Sequence, residues 1–192
     1  MAFLFSLFFN GIIFYMKHPK NLGVVSHKPK IYIGTDHAGY EMKNKLIPFI
    51  KSLGYEVVDC GAYINDPKDD DPNFVSAVAR AVALNPEHIK GIILGGSGQG
   101  EAIVANRFPN VRAIVFYGKP GIFSKLDVIR LGREHNDSNV LSLGARFLSM
   151  RSAEKAVKSW LEIPFSKAER HIRRIKETEA ISRSVKNNME FK

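Results

Sequence analysis

From residue 31 onward, short apolar runs alternate along the chain with longer segments of helical periodicity. The apolar runs predict five strands, at 31–35, 55–59, 91–94, 113–116 and 140–143. The longer segments predict helices at 39–53, from residue 71 onward, near 122–133 and at 152–161. Because strands alternate with helices throughout, we predict an α/β fold built on a five-stranded parallel sheet with right-handed crossovers.

Two helix boundaries carry their own local signals. Gly54 directly follows the first helix, and glycine commonly ends helices. Asp71 followed by Pro72 predicts an N-cap and a first turn for the second helix.

Ligands of open parallel sheets bind beyond the carboxyl ends of the strands. Chemistry is therefore expected in the loops 35–38, 60–71, 95–101, 117–121 and 144–146.

The loop 95–101, with the sequence GGSGQGE, follows the third strand and opens a helix. Its glycines allow several backbone N–H groups to point at one anion, either a phosphate or an oxyanion formed during a reaction. The dinucleotide fingerprint fails here, because Glu101 stands where a third glycine is required. No Lys-Ser/Thr pair follows, so the loop is not a Walker A loop either. A plain tight turn, with Glu101 as a first-turn acid, remains the structural alternative.

Other candidate residues are spread over several loops. Asp36 and His37 follow the first strand, at the same sheet edge as the glycine loop, and Arg146 follows the fifth strand. His135 lies between a helix and the fifth strand, at the opposite edge, so a partner subunit would have to bring it to this site. Arg170 and Arg174 are four residues apart and share one helix face, which suits either a solvated surface or a phosphate clamp.

The N-terminal 30 residues have a different composition. Residues 1–16 are apolar at 13 of 16 positions, but a membrane span needs about 20 apolar residues. A signal peptide is disfavoured, because the run has neither a positively charged start nor an A-x-A-like cleavage site. The lysines that follow it leave a weak cytoplasm-facing membrane anchor as an alternative. We favour a dispensable extension or a start codon placed too early, followed by a linker at 17–30. We expect no stable membrane association.

Charge and cysteine content narrow the function classes. The formal net charge is +9, but residues 31–150 carry 13 basic and 13 acidic side chains and are neutral. The excess lies in residues 1–30, with +4, and in residues 151–192, with 11 − 6 = +5. A nucleic-acid binder more often carries a basic stripe across its folded body, so we expect no nucleic-acid partner. The single cysteine, Cys60, excludes an internal disulfide and favours a cytoplasmic protein.

Four motifs together resemble the type B ribose-5-phosphate isomerases and the related galactose-6-phosphate isomerases. They are GTDHAG (34–39), GGSGQGEAIVANR (95–107), REHNDSNVLSLGAR (133–146) and SKAERHIRRI (166–175). The resemblance covers about residues 30–180. One branch of this family uses a cysteine at the position of Gly95 as its base, whereas the other uses a glutamate at the position of Glu101. The chain resembles the glutamate branch, and Cys60, at the end of the second predicted strand, is no substitute for the cysteine of the other branch.

The resemblance implies a Rossmann-like, three-layer fold and a homodimer with shared active sites, with a tetramer left open. It implies a C-terminal helix that reaches the partner subunit, and neither a metal nor an organic cofactor. It implies that Glu101 is the base and that His135 opens the sugar ring as an acid. The implied substrate-binding residues are Asp36, His37, Gly96, Ser97, Gly98, Gln99, Gly100, Asn136, Arg146, Arg170 and Arg174.

The implied function is the interconversion of ribose 5-phosphate and ribulose 5-phosphate in the pentose phosphate pathway. Galactose 6-phosphate, allose 6-phosphate or a tetrose phosphate remains an alternative substrate. A non-catalytic sugar-phosphate sensor and a nucleotide-binding module are more remote alternatives, disfavoured by Glu101 together with His135 and by the missing fingerprint acid. We divide the chain into an extension with its linker (1–30), an isomerase domain (31–183) and a polar tail (184–192).

Overall fold

The five predicted strands form one sheet in which every neighbouring pair is parallel, in the order β2-β1-β3-β5-β4. The computed structural model describes residues 28–118 and 127–190. The predicted apolar extension and most of the linker therefore lie outside the described residues. The strands are β1 (Lys30–Thr35), β2 (Val57–Asp59), β3 (Ile89–Gly95), β4 (Ala113–Phe116) and β5 (Val140–Gly144).

Helices cover both faces of the sheet, which makes three layers. They are α1 (Tyr40–Ser52), α2 (Asp71–Leu84), α3 (Gln99–Ala105), α4 (Asp127–Asn136), α5 (Met150–Glu162) and α6 (Glu169–Glu190). One core lies between the sheet and α1, α4 and α5, centred on the fully buried Trp160. A second core lies between the sheet and α2 and α3, and Ile93 contributes to it from the central strand. The predicted α/β, three-layer architecture is confirmed.

Two local predictions change in the structure. The N-cap of α2 is Asp70, whose backbone is extended, so Asp71 already belongs to the helix and the predicted cap was one residue late. The helix predicted near 122–133 is described from Asp127 to Asn136, which places His135 in its last turn. Helix α6 continues to Glu190 and so includes most of the segment 184–192. Within the described ranges, no helix is both long enough and apolar enough to cross a membrane.

A buried lysine fixes the segment that follows β2. The Nζ atom of Lys43, on α1, lies 2.6 and 2.7 Å from the two carboxylate oxygens of Asp59 and donates to the carbonyl oxygen of Ala62 at 2.9 Å. Lys43 is fully buried, whereas the Asp59 side chain remains about one-third exposed, at 32%. A buried charge is tolerated only when it is paired and hydrogen-bonded, as it is here.

We expect Lys43→Met to lower the free energy of unfolding by about 3 kcal/mol, because Asp59 then loses the cation with which it pairs and the Ala62 carbonyl oxygen loses the Lys43 donor. Urea unfolding followed by circular dichroism measures this change. Lys45→Met is the matched control, because Lys45 is exposed on the same helix. Equal stability of the two variants would contradict a structural role for the buried pair.

Candidate active site

The glycine loop lies at the carboxyl ends of the neighbouring strands β3 and β5. Gly98 precedes α3 with a φ of 80°, a left-handed conformation that favours glycine. The buried hydroxyl of Ser142, on β5, donates to the carbonyl oxygen of Gly98 at 2.6 Å. Loop and sheet are therefore joined by a buried hydrogen bond, and the loop backbone has a fixed position relative to both strands.

Glu101 lies in the first turn of α3, and only 6% of its surface is exposed. Its carboxyl group packs against Gly95, where a Cβ atom would lie 1.5 Å from Oε1 of Glu101. The carboxyl group thus fills the space that a side chain at position 95 would need. Burial raises the pKa of Glu101 above its ordinary value of 4.5, and the nearby charges of Asp71 and Asp36 raise it further. A carboxylate with a raised pKa is a stronger base.

A cleft of about 400 Å³ opens in front of Glu101. It is lined by Asp36, Ala38, Gly96, Ser97, Gly100, Glu101, Arg146 and Phe147. The Arg146 guanidinium lies against Gly96, 3.3 Å from where a Cβ atom would stand, and the Arg146 backbone N–H donates to the Gly96 carbonyl oxygen at 3.1 Å. The cleft therefore combines a buried carboxylate, a glycine loop and a cation, a set of groups that suits an anionic ligand.

His37 lies beside this cleft and is oriented by a residue that the sequence analysis did not single out. Its Nδ1 atom lies 2.7 Å from Oδ1 of Asp69, and its backbone N–H donates to the same oxygen at 3.0 Å. Asp36 caps the following turn by accepting from the Ala38 N–H at 3.0 Å. Asp69 belongs to the acidic run 69–71 in the loop 60–71, one of the loops expected to carry chemistry. That acidic run is the sequence feature that could have indicated Asp69.

Asp36, His37 and Asp69 are also the one group of at least three potential metal ligands among the described residues. Their ligand atoms lie within 4.8 Å of one another. The short contact between His37 and Asp69 already accounts for this proximity, because both of those atoms are used in it.

Cys60 stands at the end of β2 and is a poor base. Burial raises the pKa of its thiol to about 11, with a smaller contribution from the charge of Asp59. At neutral pH the thiol is therefore almost fully protonated.

Four further predicted site residues lie at the other edge of the sheet. His135 and Asn136 end α4 shortly before β5 begins, and Arg170 and Arg174 are exposed on the first turns of α6. The His135 ring faces the ring of His171, with 4.3 Å between the ring centroids. β5 alone separates the two edges by five residues, or about 13–16 Å. A single chain therefore does not bring His135 to Glu101.

Fold and site together define the class. A family model described as Ribose/Galactose Isomerase matches residues 31–178, and the chain belongs to this family. The chain is 39% identical to ribose-5-phosphate isomerase B of Mycobacterium tuberculosis over 146 residues, which cover 76% of this chain and 85% of the relative.

Solved structures agree with this assignment. The structure of Clostridium thermocellum ribose-5-phosphate isomerase B superposes with a TM-score of 0.73 at 36% identity, over 81% of this chain and 99% of that one. Ribose-5-phosphate isomerase B of Mycoplasma genitalium, solved with bound ribulose-5-phosphate, gives a TM-score of 0.74 at 30% identity. That match covers 80% of this chain and 96% of the other.

Proposed function

We infer that the chain is an aldose–ketose isomerase that interconverts ribose 5-phosphate and ribulose 5-phosphate. The observation that carries this inference is the buried Glu101 carboxylate, which ends the glycine loop and lines a cleft of about 400 Å³ in a member of the isomerase family. The Mycoplasma genitalium relative that holds ribulose-5-phosphate supports the choice of substrate.

Glu101 moves a proton between C2 of the aldose and C1 of the ketose through an enediolate. Both carbons must lie within about 3 Å of the carboxylate in a site from which water is excluded. The raised pKa of Glu101 suits a group that must both remove a proton and return it. Burial of the Glu101 carboxyl group in the wall of the cleft shields it from water and also makes it a stronger base.

The loop from Gly96 to Gly100 stabilises the negative oxygen of the enediolate through backbone N–H groups, and Ser97 and Gln99 contact the same part of the substrate. One such donor commonly contributes about 10²–10³ in rate, since it is aligned before the reaction. Asp36 and His37 bind sugar hydroxyls at the side of the cleft, and Asp69 keeps the His37 ring in place. Arg146 supplies a positive charge at the cleft wall.

A second subunit completes the site in this proposal. His135 of the partner subunit donates a proton to open the sugar ring, and Asn136 of the partner subunit contacts the sugar. Arg170 and Arg174, on α6 of the partner subunit, bind the substrate phosphate. The separation of the two groups across the sheet supports a homodimer, with a tetramer as a larger assembly of such pairs.

A substrate panel tests the function directly. Purified full-length chain is incubated with ribose 5-phosphate, galactose 6-phosphate, allose 6-phosphate and a tetrose phosphate, and ketose formation is measured. We expect the highest kcat/KM for ribose 5-phosphate. Because the matching family model also covers galactose isomerases, a preference for a six-carbon substrate would keep the isomerase class and change the substrate. Absence of turnover on every substrate would contradict the proposal.

Arg170→Ala and Arg174→Ala should each weaken phosphate binding by about 2–5 kcal/mol, the cost of breaking a desolvated charge pair across an interface. In steady-state kinetics KM rises, and kcat falls as well, because phosphate binding also orients the reacting carbons.

Arg173→Ala is the control for these variants, because Arg173 lies on the exposed surface of the same helix and pairs with Glu177 at 3.7 Å. Wild-type kinetics in both Arg170→Ala and Arg174→Ala would assign this helix face to solvent.

We place the protein in the cytoplasm, in carbohydrate metabolism, with no organic cofactor, no metal and no nucleic-acid partner. The neutral charge of residues 31–150 and the single cysteine support this assignment. The positive charge of the C-terminal segment then has a local purpose, because part of it contacts the substrate phosphate.

A further inference from the structure

His171 lies between the two arginines of the proposed phosphate clamp, but its surroundings differ from theirs. Only 4% of its surface is exposed, whereas Arg170 and Arg174 are exposed. The mechanism described above gives His171 no task. A buried histidine inside a motif that otherwise faces a substrate therefore calls for a physical explanation.

The hydrogen bonds of His171 define its protonation state. Nε of Arg170 donates to Nε2 of His171 at 3.1 Å, so that ring nitrogen carries a lone pair. Nδ1 lies 2.7 Å from Oγ of Ser166 and donates to it, while the same hydroxyl oxygen accepts from the Ala168 N–H at 3.3 Å. Burial and the nearby His135, Arg170 and Arg174 lower the pKa of His171, which favours the neutral ring that this pattern needs.

The same ring also contacts the proposed ring-opening acid. The centroids of the His135 and His171 rings are 4.3 Å apart, and the ring planes are inclined by 35°. In addition, the Ser166 N–H donates to the carbonyl oxygen of Glu134 at 3.1 Å, which joins the approach to α6 to the last turn of α4. His171 therefore touches one residue of the phosphate clamp and the ring-opening acid at the same time.

We propose that neutral His171 is a positioning residue that sets two groups at once, the Arg170 guanidinium through Nε2 and the His135 imidazole through ring stacking. This proposal rests on the proposed isomerase function. Ser166 holds the tautomer by accepting the Nδ1 proton. His171 thereby fixes the spacing between the phosphate-binding cation and the acid that acts at the other end of the sugar.

Two substitutions separate the two contacts. His171→Phe keeps an aromatic ring against His135 but removes the acceptor for Arg170, so KM for ribose 5-phosphate should rise about tenfold. His171→Gln keeps an acceptor near the position of Nε2 but removes the ring, so kcat should fall about tenfold with little change in KM. Thermal unfolding of each variant accompanies the kinetics, and unchanged kcat and KM in both folded variants would overturn the proposal.

Proton exchange distinguishes positioning of His135 from general damage to the site. Ribulose 5-phosphate has no ring to open, so exchange of its C1 hydrogen in D₂O needs Glu101 and the glycine loop but not His135. We expect His171→Gln to slow the turnover of ribose 5-phosphate while exchange into ribulose 5-phosphate, followed by NMR, stays at the wild-type rate. Equal losses in both reactions would overturn the assignment. Wild-type protein that shows neither turnover nor exchange would instead refute the proposed function.

A double-mutant cycle tests the link to Arg170. If His171 acts on KM through Arg170, the effect of His171→Phe disappears in an Arg170→Ala background, whereas additive effects on KM would overturn the proposal. If the His171 variants fail to fold, Ser166→Ala replaces them in the same cycle. That variant frees the Nδ1 proton without touching the ring and should raise KM several-fold, and unchanged kinetics would overturn the proposal.

Discussion

Glu101→Gln is expected to lower kcat for ribose 5-phosphate by about 10²–10⁴, the usual contribution of a positioned general base. The substitution keeps the shape of the side chain against Gly95, so the fold and the binding of substrate should persist. Steady-state assays measure kcat, and isothermal titration calorimetry with ribose 5-phosphate measures the dissociation constant of the substrate. In wild-type protein, activity should fall as the pH drops through the raised pKa of Glu101, above 4.5.

The control for this variant is Glu87→Gln, which changes an exposed carboxylate far from the glycine loop and should leave kcat unchanged. Substantial kcat in Glu101→Gln would contradict the role of Glu101 as base. The base would then be sought in Asp36, the other carboxylate that lines the cleft, and Asp36→Asn would test it.

Mixing two inactive variants should restore activity if the site is shared between subunits. Glu101→Gln and His135→Asn chains are unfolded together and refolded, so that hybrid dimers form. Each hybrid carries one site with both native groups and one site with neither. Random assortment makes half of the dimers hybrid, and about one-quarter of wild-type activity should return.

Each variant refolded alone is the control and should stay inactive. Native mass spectrometry confirms that hybrids have formed, with the two chains distinguished by isotope labelling. Confirmed hybrids without activity would show that Glu101 and His135 do not cooperate across a subunit boundary. Loss of activity on dilution to monomers would support the shared site from a second direction.

Local sequence determined much of the sheet, because continuously apolar runs such as 91–94 have few alternatives to a buried strand. Helix ends were less predictable. Asp70 and Asp71 are both good caps, and only the three-dimensional path of the loop selects Asp70. The helix predicted near 122–133 is described as far as Asn136, so that His135 is helical, where a loop had been expected.

Some residues of the candidate site could be predicted from the sequence, whereas others could not. Residues next to strand ends, such as Asp36 and Glu101, were found because a parallel sheet places its carboxyl ends together. Asp69 and His171 were missed, since their importance depends on contacts with residues distant in sequence or in another element. His171 did lie within a motif already noted, but periodicity alone does not reveal which face of a helix is buried.

The tight fit between Glu101 and Gly95 has a consequence for substitutions at position 95. A cysteine introduced at position 95 alone would collide with the glutamate carboxyl group, since even a Cβ atom there lies 1.5 Å from Oε1. Loss of the glutamate alone would leave the chain with no base in this loop. In this chain a side chain at position 95 and the carboxyl group of Glu101 therefore compete for one space, and a residue larger than glycine at position 95 must displace that carboxyl group.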